Sequence, residues 1–267
     1  MNKFLRIALF VVLILIPIIF YKSFYKGKQK KNITFPVIVT QTPTAAKPKI
    51  ALVFDDLGES LQELEEIYSL HTPLTISIIP GLKFSKNIAY IRSNCGFSVL
   101  IHLPLEPKDA KSYLTKKYQF ISASLSKREI DSLLRRYLNS IRLAIGANNH
   151  MGSAATENPE LMRMVLHALH EKNLFFIDSC TSLKSVACDI AKNEGVTCAY
   201  NTGFMDSIDN PLVMRRKLKK LVRIAKKKGK IIVIVHPRKT TIAVLRDNLP
   251  ELKKEVDFIT VKDYFGT

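Results

Sequence analysis

The stretch Ile50-Ala51-Leu52-Val53-Phe54-Asp55-Asp56-Leu57-Gly58 decides how this chain is read. Its apolar run predicts a strand over 50–55 that ends in two adjacent carboxylates. Adjacent carboxylates repel, so a fold tolerates them at a strand end where a cation or two distinct roles separate them. The turn at Gly58 lets both side chains reach one cavity. The plainer reading makes Asp56 the N-cap of a helix beginning near Glu59.

The same arrangement recurs down the chain. His102 closes the apolar segment 97–101, and His150 follows 143–147 after Asn148 and Asn149. Asp178 closes 174–177, and His236 closes 231–235. Further strands are predicted over 74–79, 197–200 and 257–261. Helices alternate with the strands, near 59–69, 84–93, 126–140, 159–172, 183–193, 211–228 and 239–247. Ser126 and Glu129 form a capping-box pattern, and Pro159 and Pro211 sit in first turns.

Strands alternating with helices imply a parallel sheet under helical cover. The expected fold is α/β, a distorted or incomplete (β/α) barrel of about seven parallel strands. An open doubly wound sheet is the alternative. The turn after the first strand has no glycine-rich phosphate cradle, which weighs against a nucleotide fold. In either architecture the C-terminal strand ends share one face. Asp55, Asp56, His102, His150, Asp178 and His236 should therefore converge there, as ingredients of a metal site with an acid and a base.

The formal charge of +18 suggests a nucleic-acid partner until it is located. Residues 1–49 carry nine Lys/Arg and residues 215–230 carry ten, with no acid in either segment. The remaining 22 basic residues face 23 acidic ones, so the body is balanced and no nucleic-acid partner is expected. Segment 7–21 is uncharged and apolar, preceded by Lys3 and Arg6. With Phe4 and Leu5, and Arg6 snorkelling, it approaches the length of a span. The chain thus divides into a signal anchor or transmembrane helix (1–21), a tether (22–48) and a catalytic domain (49–267). A cleaved signal peptide is the alternative, but no small-x-small site follows the apolar run. Lysines 22, 26, 28, 30 and 31 would by themselves favour a cytoplasmic domain.

Other segments refine this outline. Pro104 and Pro107 exclude a regular helix after His102, which leaves His102 as the better ligand and Glu106 on the cleft wall. Asn148 and Asn149 can orient His150 or hold substrate. His71, His167 and His170 read as surface or packing residues. Cys95, Cys180, Cys188 and Cys198 contain no CxxC. They read as buried hydrophobes, or as a Cys180–Cys188 or Cys188–Cys198 disulfide in an oxidising compartment. Helix 211–228 is apolar on one face and cationic opposite, either a solvated outer helix or a contact for an anionic membrane or cell-wall polymer.

Five ordered motifs resemble the divergent branch of the polysaccharide deacetylase superfamily, over about residues 49–245. They are the 50–58 stretch, 102–107, 148–153, Phe175-Phe176-Ile177-Asp178-Ser179 and Val235-His236-Pro237. The resemblance implies a distorted barrel and one divalent metal, usually zinc. It implies that Asp55 is the base, Asp56 a metal ligand and His236 the acid. The superfamily takes two more ligands from histidines four residues apart. Here the position four after His102 is Glu106, and His150 is expected to supply the missing ligand. The superfamily's Arg-x-Pro-Tyr brace for the base is also absent. Asp178 is expected to orient His236, and Glu106, Asn148, Asn149 and Ser179 to contact substrate.

The resulting expectation is a metal-dependent hydrolase of linear amide bonds, acting on an N-acetylated polysaccharide. That substrate places the domain outside the cytoplasm, in the periplasm or at the cell surface, against the lysine rule. A non-catalytic glycan-binding or envelope-scaffold protein on the same fold is the rival reading, and a metal-dependent esterase or other amidohydrolase a third.

Overall fold

The computed structural model describes residues 46–91, 97–109 and 117–266. The anchor expected over 1–21, and nearly all of the tether, lie outside these residues. Among the described residues no helix is long and apolar enough to cross a membrane.

Strand and helix alternate throughout. The chain runs β1 (Lys49–Leu57), α1 (Leu61–Tyr68), β2 (Thr75–Ile78), α2 (Ser85–Ile91), β3 (Ser98–Leu105) and α3 (Lys127–Ser140). It continues through β4 (Gly146–Met151), α4 (Pro159–His170), β5 (Phe175–Asp178), α5 (Ala187–Asn193) and β6 (Cys198–Tyr200). It finishes with α6 (Pro211–Lys228), β7 (Lys230–Val235), α7 (Lys239–Glu255), β8 (Asp257–Ile259) and α8 (Val261–Phe265). The strands pair in the order β6-β5-β4-β3-β2-β1-β7, and β8 pairs with the start of β1. Every pairing is parallel.

Seven strands form a nearly closed barrel, and the chain after β6 bridges the gap. Thr202 N–H donates to Ile232 O at 2.9 Å, and Met205 N–H donates to Ile234 O at 3.1 Å. Residues 202–205 thereby lie along β7 and deliver the next few residues to the barrel mouth.

Side-chain alternation sorts the strands into two faces. Ala51, Val53, Leu100, Ile177, Ala199, Ile232 and Ile234 pack together inside the barrel. Ile50, Leu52, Phe54, Val99, Ile101, Phe176, Ile231 and Val233 belong to the larger core beneath the helices. Carried one step further along each strand, this parity points Asp55, His102 and His236 inward and Asp178 outward.

Several elements differ from the sequence expectation: the strand expected over 97–101 runs on to Leu105, and the helix expected from 183 begins at Ala187. The apolar segment 143–147 is mostly a turn, with Leu143 41% exposed, and β4 begins only at Gly146. His150 therefore lies within the strand, because β4 carries the polar residues Asn148, Asn149 and His150 into the barrel mouth. Helix α7 continues eight residues past the expected stop at 247 and includes Pro250, held by buried Leu249 and Leu252. Helix α8, capped by Thr260 and Asp263, was not expected. The Ser126–Glu129 capping box is present at α3.

Gly146 is a close-approach glycine. A Cβ there would lie 2.4 Å from Phe175 Cδ2 and 2.8 Å from the Phe175 carbonyl oxygen. The ring can shift, but the carbonyl belongs to the neighbouring strand and cannot. Gly146→Ala should therefore destabilise the protein by roughly 1–3 kcal/mol, the scale of core overpacking. A thermal melt should show a fall of several degrees; an unchanged midpoint would mean the β4–β5 packing is looser than described.

Candidate active site

The site begins with an irregularity in β1. Phe54 pairs with Ile76 and Leu57 with Ile78, so β1 spends three residues where β2 spends two. This is a β-bulge. Asp56 takes the left-handed conformation there, with φ of 65°. Strict alternation would send Asp56 outward with Phe54. The bulge instead turns it toward the mouth that Asp55 already faces, and both carboxylates reach one cavity.

Strands β3 and β4 bring the imidazoles. His102 Nε2 lies 3.1 Å from Asp56 Oδ1 and 3.5 Å from Asp55 Oδ2. His150 Nδ1 lies 2.8 Å from the same Asp56 oxygen. One ligand atom from each of Asp56, His102 and His150 falls within 4.8 Å of the others. One carboxylate oxygen and two imidazole nitrogens at this spacing suit a zinc-type cation, whose ligand bonds are about 2.0–2.2 Å.

The far side of each ring supports that fit. His102 Nδ1 meets Asn148 Oδ1 at 3.0 Å. An amide oxygen only accepts, so Nδ1 carries the proton and Nε2 is left facing the site. His150 Nε2 meets the Tyr118 hydroxyl at 2.7 Å, leaving Nδ1 toward Asp56. Outer partners of this kind fix the tautomer and orientation of metal-binding histidines.

Asn148 holds the centre. Its Nδ2 donates to Asp55 Oδ1 at 2.9 Å and Oδ2 at 3.0 Å, while its Oδ1 also accepts from Ser77 Oγ. One fully buried carboxamide thus braces Asp55 and His102 together.

The electrostatics follow from this packing. Burial pushes Asp55 up to about 6, although the neighbouring His102 pulls the other way. Burial would also raise Asp56, but hydrogen bonds and charge from His102 and His150 hold it well below the usual carboxylate range. For His102, burial is outweighed by the carboxylates of Asp55 and Asp56, and its pKa rises. Burial lowers His150. The two carboxylates are thereby driven apart, one easily protonated and one firmly ionised.

His236 enters from the end of β7. Its Nδ1 is 3.0 Å from Asp206 Oδ1, and its backbone N–H donates to Asp206 Oδ2 at 2.7 Å. Thr241 Oγ1 donates to the same Oδ2 at 2.8 Å, and Arg238 holds the Asp206 carbonyl at 2.8 Å. His236 Nε2 faces the site, 3.8 Å from Asp56 Oδ2, and the ring stacks on Phe204. Burial opposes the charged imidazole, but the Asp206 hydrogen bond and charge prevail and raise its pKa.

The carboxylate that orients His236 is therefore Asp206, in place of the expected Asp178. Asp178 follows Phe176 to the outer face of β5. There its Oδ1 accepts from Cys180 N–H at 2.8 Å, while its buried Oδ2 has no hydrogen-bond partner among the described residues. Asp206 escaped the sequence reading because it ends no apolar run. It lies in the 202–205 crossover's continuation, and its only early signal was proximity to that loop's glycine and aromatic.

All four expected substrate contacts are engaged in the scaffold instead. Glu106 Oε2 accepts the Ala123 N–H at 2.8 Å, and its backbone carbonyl accepts from Ala154 and Ala155, closing the β3 exit. Asn149 Oδ1 accepts from Ser179 N–H, and Ser179 Oγ donates back to the Asn149 carbonyl. Asn149 and Ser179 are buried, so they clasp β4 to β5 rather than face a ligand. Asn148 is likewise buried and acts through its neighbours.

Among the described residues one disulfide is present, Cys188–Cys198, which ties α5 to β6. Cys180 is a free thiol.

Fold and site together define a parallel (β/α)-barrel protein in which three residues that could hold a metal, Asp56, His102 and His150, lie between a carboxylate and a carboxylate-held imidazole. The chain belongs to the divergent polysaccharide deacetylase family, whose sequence model matches residues 52–265. It is 34% identical over 234 residues to an uncharacterised protein of Haemophilus influenzae, covering 88% of this chain and 82% of that one. Among solved structures, an uncharacterised Agrobacterium tumefaciens protein superimposes with a TM-score of 0.75 at 19% identity, covering 83% of this chain and 90% of that one. The catalytic domain of a peptidoglycan N-acetylglucosamine deacetylase from Eubacterium rectale superimposes with a TM-score of 0.51 at 11% identity, covering 85% and 94%. At these identities the two structures show a shared fold.

Proposed function

We propose that this protein is a metal-dependent hydrolase that removes N-acetyl groups from an envelope or extracellular glycan. The observation that carries the reading is the division of labour between adjacent carboxylates. Asp56 joins His102 and His150 in a ligand set, whereas Asp55, one residue away, is held by Asn148 and stays outside it. Family membership supports the substrate class.

Asp56, His102 and His150 would hold the cation. When bound, it supplies Lewis acidity that polarises an acetamide carbonyl and makes a water more acidic. Asp55 accepts the proton of the attacking water, and the Asn148 amide fixes the direction in which its oxygens point. His236 donates from Nε2 to the leaving amine nitrogen, while Asp206 on Nδ1 fixes that tautomer and stabilises the charged ring. The products are acetate and a free amino sugar. We place the domain outside the cytoplasm, a reading supported by the Cys188–Cys198 pair, since such bridges persist in oxidising compartments. The apolar segment 7–21 is read as the anchor.

The test is acetate release from N-acetylated oligosaccharides by purified protein with zinc added and with zinc chelated. Acetate released only with metal supports the reading. Protein that binds no divalent metal, yet still binds glycan, would favour the scaffold alternative.

The two acids near the mouth give a sharper check. Asp206→Asn should slow turnover by up to the roughly 10²–10⁴-fold that general acid catalysis contributes. Asp178→Asn should leave turnover unchanged. The reverse pattern would restore Asp178 as the orienting residue.

A further inference from the structure

Helix α6 carries a charge arrangement that neither the fold nor the proposed chemistry uses. Its buried face is Met214, Leu218, Leu221, Val222 and Ala225. Directly opposite, Arg216, Lys219, Lys220, Arg223 and Lys227 recur at the three- and four-residue spacing that aligns side chains along a helix. All five are exposed. Neighbouring cations on the flanks are neutralised within the protein: Arg215 by Asp247 and Lys226 by Glu255. The five on the outer ridge have no carboxylate partner among the described residues. The helix itself holds no Asp or Glu; in sequence its nearest acids are Asp209, just before its N-terminus, and Asp247.

Like charges at these spacings repel and weaken a helix. A face that is merely solvated usually mixes signs, so an unbroken cationic ridge points to a partner that supplies the missing negative charge. The ridge ends in apolar side chains. Leu212, one turn before Arg216, is 64% exposed, and Ile208 in the preceding loop is 55% exposed. A soluble polyanion offers no apolar phase to receive them. A bilayer offers anionic headgroups for the ridge and an acyl boundary for the two side chains. The apolar segment 7–21, read from the sequence as an anchor, calls for the same surface.

We propose that the outer face of α6 docks on an anionic lipid bilayer, with Leu212 and Ile208 entering the headgroup boundary. The contact goes beyond the proposed deacetylation and does not depend on it. Because α6 runs antiparallel to the strands, such docking lays the barrel axis along the membrane. The barrel mouth then opens sideways, beside the bilayer.

Lysine acetylation footprinting by mass spectrometry tests this on the full-length protein, incubated with nanodiscs of phosphatidylglycerol or of phosphatidylcholine. Lys219, Lys220 and Lys227 should react at least ~5-fold more slowly with the anionic discs, and high salt should erase the difference. Lys127 on α3 and Lys172 after α4, on other sides of the barrel, should react alike with both lipids. Ile208→Ser with Leu212→Ser, both at exposed positions, should relieve protection by anionic discs while leaving protection by soluble polyphosphate unchanged. Equal reactivity with the two lipids would overturn the proposal. Disc protection that survives loss of both apolar side chains would overturn the entry of Leu212 and Ile208 into the headgroup boundary and leave a purely electrostatic contact.

Discussion

Asp55→Asn is expected to lower acetate release by roughly 10²–10⁴-fold, the usual contribution of a general base. Metal content should remain close to one ion per chain. The reason lies in how the two carboxylates are held. Asp56 lies among the imidazole nitrogens, and its oxygens define the ligand set. Asp55 faces the same cavity, but both of its oxygens are occupied by the Asn148 amide. Asparagine keeps the size of the side chain and removes its ability to accept a proton. The measurement pairs a steady-state acetate assay with metal analysis of the same preparation. Loss of metal together with activity would show that Asp55 is itself a ligand, and the separation of roles would fail.

His102→Ala should have the second large effect, abolishing both metal retention and turnover. Two remaining ligands hold zinc poorly, and metal binding is coupled to a correctly deprotonated, oriented set. Asn148→Ala leaves Asp56, His102 and His150 in place and removes the support of His102 and Asp55, together with the bonds to Ser77 and Ser179. Its metal affinity should fall by the roughly 10–100-fold typical of a lost outer partner. The ordering of the two variants is the test, read by competition with a chromophoric chelator. An Asn148 variant that loses metal as completely as His102→Ala would show that the amide is part of the binding set itself. Retained metal after His102→Ala would mean that the ligands lie elsewhere.

Much of the barrel was legible because its strands are short apolar runs bounded by charge, and its helices carry caps and a clear apolar stripe. The strand ends were readable for the same reason: Asp55, His102 and His236 each terminate such a run. Reading failed where the site itself changed the pattern. Strand β4 carries Asn148, Asn149 and His150, whose side-chain polar atoms find partners on the surrounding strands and loops. Hydrophobicity therefore marked the turn before it instead. Asp178 ends an apolar run as clearly as Asp55 does, but side-chain alternation sends it to the opposite face. Asp206 depends on a long-range approach between the post-β6 segment and β7, which leaves no local signature. The second histidine of the wider superfamily is absent from the 102–106 segment. His150 instead approaches Asp56 and His102 from the adjacent strand, where Pro104 of β3 pairs with His150 of β4.

The bulge in β1 also bears on how such a site can be gained or lost. Phe54 and Leu57 both pack in the outer core, with Asp55 pointing inward between them. If Asp56 were deleted, the remaining order Phe54, Asp55, Leu57 would already alternate outward, inward, outward, as an unbroken strand requires. Asp56 is in this sense a one-residue insertion that brings a candidate ligand with it. Removal of a single codon would close the strand, keep both hydrophobic anchors and strip the centre of its carboxylate. Barrel and candidate metal site are thus separable by the smallest in-frame step a genome can take.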